Sequence, residues 1–76
     1  FNPTTTMKFS VDKTLHTTLK VYSVLGQLVA SLFDDIAEPG RYYEVRFDGA
    51  SFASGIYFMR LENSEQSQIK KMLLVK

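Results

Sequence analysis

What most constrains the fold of this chain is that its apolar and polar residues alternate with period two along most of its length. Successive side chains of a strand point to opposite faces, so this pattern buries one face of a sheet and wets the other. An amphipathic helix would need apolar residues three and four apart. "TTTMKFSV" places Met7, Phe9 and Val11 on one face, with Lys8 and Ser10 opposite. "LHTTLKVYS" sends Leu15, Thr17, Leu19 and Val21 to one side and His16, Thr18, Lys20 and Tyr22 to the other. "RYYEVRF" directs Tyr43, Val45 and Phe47 inward, with Arg41, Glu44 and Arg46 largely outward. "IYFMRLE" is apolar on nearly both faces, as expected of a central strand in a two-layer fold.

The punctuation between these runs is that of turns. "DKT" separates the first two strands, and Gly26 in "VLGQ" supplies a residue free to take positive φ. "LVASLF" is a short third strand whose spacing from Val29 to Leu32 predicts a bulge or an early end. "DDIAEPG", Asp34 to Gly40, reads as a loop because acidic residues precede a Pro-Gly pair. "DGASFASG" is a second loop, "NSEQSQ" a last turn, and "IKKMLLVK" a terminal strand. In "TLKVYSVLGQLVASLFDDI" the residues Leu19, Tyr22, Leu25, Val29 and Leu32 also fit a helix. Gly26 and the β-branched and aromatic content before it decide for strand, turn, strand. Six or seven short strands with turns every 8 to 12 residues or so define an antiparallel sandwich or small barrel.

Size and charge narrow the function. The chain has 76 residues, enough for one domain, and begins at Phe1 rather than a methionine, so it is expected to be a module excised from a larger protein. Folding a chain of this size removes roughly 8,000 Å² from water, worth on the order of 115 kcal/mol if a little over half is apolar. Ordering the chain costs about 1.5 kcal/mol per residue, a sum of the same size. A formal charge of +1 gives no field for phosphate, so nucleic acid is not an expected partner. There is no cysteine for a disulfide framework or thiolate site, and no apolar run near the ~20 residues of a membrane span.

Residues that carry chemistry elsewhere are isolated here. His16 is the one histidine, on the polar face of its strand, and the sequence suggests no partner for it. Asp34, Asp35 and Glu38 lack the fixed offsets of a calcium loop and read as a solvated turn, and Asp48-Gly49 reads as a turn pair. Ser23, Ser51 and Ser54 follow no nucleophile-elbow pattern. Neither a cofactor, a metal nor enzyme activity is expected. Of Tyr42, Tyr43, Phe47, Phe52, Tyr57 and Phe58 most must fill a small core, which leaves Tyr42 as the one candidate platform for a sugar, and one ring is not a site. Tyr57 is expected to pack inward with its hydroxyl bonded to backbone.

In order along the chain, "FNPTTTMKFSV", "LKVYSVLGQLVASL", "PGRYYEVRFDGASFASGIYFMRLE" and "KKMLLVK" are similar to the segments of a known family. The chain resembles the C-terminal sorting domain of proteins exported by the type IX secretion system of Bacteroidota, itself related to Ig-like modules of flagellar-hook capping proteins. It departs from that pattern in two places: the extra Asn-Pro pair often found just before the start is lacking or lost, and Phe47 stands where tryptophan is frequent. The resemblance implies an Ig-like antiparallel β-sandwich at the end of a secreted or cell-surface protein, carried through the periplasm and across the outer membrane. It implies type IX translocon components as partners, and a surface peptidase that removes the tag. It also implies that Gly55 and Tyr57 of "SGIYF" and Lys71, Met72, Leu74 and Lys76 of "KMLLVK" carry the sorting signal. The other readings are an accessory module binding a glycan or protein, and a structural spacer. Lys70, Lys71 and Lys76 also read as charges that guard an exposed edge. Such an edge beside the first or last strand could still pair with a second copy, giving dimers in concentrated samples.

Overall fold

The computed structural model describes residues 2–76; Phe1, which heads the first of the quoted segments, lies outside the described residues. The alternation becomes six strands: β1 (Thr4–Phe9), β2 (Leu15–Ser23), β3 (Leu28–Ala37), β4 (Tyr43–Asp48), β5 (Gly55–Glu62) and β6 (Ser67–Leu74). They form two antiparallel sheets, one of order β3-β2-β5-β6 and one pairing β1 with β4. The fold is therefore all-β, a small sandwich as the sequence predicts.

The inward faces follow the period-two reading. Thr17, Leu19 and Val21 of β2 are wholly buried, and β5 adds Tyr57, Met59 and Leu61. Phe9 of β1 and Phe47 of β4 close the core from the smaller sheet. The rings of Phe9 and Tyr43 stack at 5.1 Å, and Phe33 of β3 meets both edge-on at 5.3 and 5.4 Å, which ties the two layers together. Offset and edge-on ring pairs add to simple burial because the positive ring edge meets the negative face. Buried Thr17 is satisfied: its hydroxyl donates to the Leu15 carbonyl and accepts from the Asn63 side chain.

Two expectations need correction. Asp34–Ala37 belongs to β3, so the loop spans only residues 38–42. Thr18 faces Asp34, Thr17 faces Asp35 and Leu15 faces Ala37, and the wholly buried Ala37 anchors the extension. The acidic side chains are tolerated because β3 is an edge strand. Asp34 meets His16 at 2.6 Å across the outer face, while the Asp35 carboxylate accepts from the Ile36 amide. The alternative of an early end thus gives way to bulges, with Val29 and Leu32 skipped in the register against β2. Each bulge lets two consecutive apolar residues, Val29 with Ala30 and Leu32 with Phe33, pack on the core. The second correction is small: Ser67 and Gln68 start β6, so the last turn is residues 63–66. Asn63 organises that turn, its side-chain oxygen accepting from the amides of Glu65 and Gln66.

Candidate functional site

The residues singled out at the end of the chain converge on the loop between β4 and β5. Gly55 opens β5 with φ 153°, a conformation that side-chain-bearing residues rarely adopt, although a Cβ there would meet open space. Its constraint is therefore conformational. Two residues on, the ring of Tyr57 is buried, and its hydroxyl donates to the Ala53 carbonyl at 2.6 Å. The inward tyrosine with a backbone partner is as the sequence predicts. Phe52 lies between Phe47, at 5.6 Å, and Tyr57, at 6.2 Å, so the loop is packed into the core at its middle as well.

β6 pairs along β5 in an unbroken register. Leu74 faces Gly55, and Met72 faces Tyr57. Both Leu74 and Met72 are buried, while the first five residues of β6 are exposed. The strand is thus held to the core at its last turn of pleat. Beneath Leu74 lies Gly49, where an added Cβ would come within 3.0 Å of a Leu74 methyl and 3.1 Å of the Pro3 carbonyl oxygen. The Gly49 amide donates to that same carbonyl at 2.8 Å. Glycine is needed here because three segments meet with no room for a side chain.

The chain stays attached beyond the strand. The Lys76 amide donates to the Ser54 hydroxyl at 3.2 Å, and its Nζ donates to the Ala50 carbonyl at 2.6 Å. The loop of residues 49–54 therefore receives the start of β1 through Gly49, the ring of Tyr57 through Ala53, and the terminal segment through Ala50 and Ser54. Asp48 shapes its entrance by accepting from the Ala50 amide, and Phe52 closes a turn on the Gly49 carbonyl.

Of the predicted site residues, Gly55, Tyr57, Met72, Leu74 and Lys76 come together at this loop. Lys71 does not: it faces Phe58 on the outer side of the sheet and is exposed. Nothing in the sequence singles out Gly49, Ala50 and Ser54 for these contacts, because "DGASFASG" reads locally as a loop and only the fold brings Leu74 and Lys76 against it. Among the described residues no three acidic or histidine side chains are grouped so as to hold a metal ion. The site is one of shape and backbone hydrogen bonding, suited to presenting an ordered surface.

A small two-layer β domain whose last strand is docked onto its own sheet defines the class: a compact β-sandwich module without helices among the described residues. The model of the family described as the secretion system C-terminal sorting domain matches residues 2–76, and the chain belongs to that family of type IX secretion tails. No curated protein and no solved structure matches the chain.

Proposed function

We propose that this domain is a non-catalytic sorting signal read in its folded form by components of the type IX translocon. A cell-surface sorting peptidase then removes it or exchanges it for a surface anchor. The parent protein thereby passes through the periplasm and the outer membrane to the cell surface or the medium. The family match supports this reading, and one observation carries its physical side. The segment "KKMLLVK" is held in an ordered place, with Met72 and Leu74 buried and Lys76 bonded to Ala50 and Ser54. An ordered end is a surface a receptor can engage without the entropy cost of arranging it first.

The test is to fuse the 76 residues to a periplasm-directed fluorescent protein in a type IX secretor and measure the extracellular fraction. Export at the level of an established tag is expected, with deletion of residues 71–76 trapping the cargo. A wild-type fusion that remains periplasmic overturns the reading. Lys71→Ala and Lys76→Ala separate signal from stability: loss of export with an unchanged melting curve assigns these side chains to recognition.

A further inference from the structure

The outer face of the four-stranded sheet differs from a solvated face. Where an antiparallel sheet meets water its residues are ordinarily polar. Here Tyr22 and Phe58 are neighbours in register, and with Val24 and Ile69 they line an open cleft of about 440 Å³. Val24 is 63% exposed and Ile69 65%, so apolar side chains stand in water at its rim.

The charges around this cleft are arranged against local stability. Lys20 stands directly opposite Arg60 across β2 and β5, and like charges so placed destabilise a sheet. Arg60 is offset by Glu62 at 2.6 Å. Its Nε is nonetheless enclosed with no hydrogen-bond partner. Lys71 stands opposite Phe58, on the β6 side of the cleft. Neither Lys20 nor Lys71 makes an ion pair among the described residues. An apolar floor flanked by two cations that make no ion pair among the described residues, Lys20 next to Arg60 and Lys71 next to Phe58, is complementary to a ligand that pairs an apolar side chain with carboxylates. A second copy presenting the same face would bring the same cations, so self-association by this face is opposed.

We propose that this cleft is the docking surface for an extended segment of a partner protein in which acidic residues stand two positions before and after an apolar one, so that all three side chains point to the same face. The apolar side chain fills the cleft over Tyr22 and Phe58, and the carboxylates meet Lys20 and Lys71. This surface lies on the opposite face of the sheet from the loop that receives Lys76. The proposal rests on the reading of the domain as a signal engaged by another protein, and its test is independent of export.

Titrate the isotope-labelled chain with the capped heptapeptide Gly-Asp-Ser-Phe-Ser-Glu-Gly, with its counterpart carrying lysine for both acids, and with anionic phosphatidylglycerol vesicles, following amide shifts. The acidic peptide is expected to perturb Tyr22, Phe58, Arg60 and Ile69 selectively. Lys20→Glu with Ile69→Glu should weaken it at least about tenfold, since both charge complementarity and the apolar rim are lost. Lys71→Glu, at an exposed position, repeats the charge test should the double variant not fold. No perturbation, an equal response to the lysine peptide, shifts elsewhere, or a response to vesicles alone overturns the proposal. A fusion that fails to leave the periplasm counts against the sorting reading and leaves this titration to decide the docking surface.

Discussion

The two edges of the large sheet are built differently. β3, ten residues long, is interrupted by bulges at Val29 and Leu32. Those bulges press paired apolar residues onto the core and leave the outer side an uneven template for another strand. β6, eight residues long, runs in unbroken register from Glu62–Ser67 to Gly55–Leu74. Its free side is guarded only by the charges of Lys70 and Lys71. One edge is closed by its backbone geometry. The other is kept regular and fastened mainly at its far end, through Met72, Leu74 and Lys76. β6 is thus paired with β5 along its whole length but buries side chains only at Met72 and Leu74, so its packing against the core is concentrated at that end.

The largest effect should come from Leu74→Ala. It removes a wholly buried side chain and should cost about 2–5 kcal/mol in urea unfolding, a large part of what a small domain has. Leu32→Ala, at a half-buried place on the bulged edge, should cost only about 1 kcal/mol. Equal losses would break the contrast between the edges. Gly49→Ala comes next, at about 1–3 kcal/mol, because its methyl must displace Leu74 or the Pro3 carbonyl. Hydrogen exchange should then rise in β6 ahead of β3, and uniform exchange would contradict the role given to that contact. Tyr57→Phe keeps the packed ring but strands the Ala53 carbonyl, lowering stability by about 1 kcal/mol in thermal melts. The smallest change in stability, within about 0.5 kcal/mol, is expected for Lys70→Thr with Lys71→Thr. That pair should nonetheless produce dimers at high concentration by light scattering. Asp34→Thr with Asp35→Thr on β3 should stay monomeric, since the bulges remain; dimers from both would show that charge alone guards the edges.

Much of this was legible beforehand because it is local. The inward residues of β2, β4 and β5 follow from alternation, and the turn at Gly26, with φ 85°, follows from the residue itself. The inward Tyr57 with its bonded hydroxyl follows from burying a phenol in a small core. The misreading of Asp34–Ala37 had a physical source. Aspartates are poor strand formers on average, but a strand at a sheet edge leaves their carboxylates in water while Ala37 is buried. The bulges were half legible, since the spacing from Val29 to Leu32 breaks the period without saying whether the strand ends there or bends.

From the sequence follow the all-β class, the approximate places of the strands apart from the far end of β3, which of their faces are apolar, and the strand character of the last segment. These properties depend on neighbours one or two residues apart, and a period-two pattern states them directly. The order β3-β2-β5-β6, the seating of Leu74 over Gly49 and the reach of Lys76 to Ala50 come from the folded arrangement alone. That arrangement also decides that Lys20 and Lys71 flank one cleft. Those contacts join residues far apart in the chain, and their energies arise only once both sheets have closed on a common core.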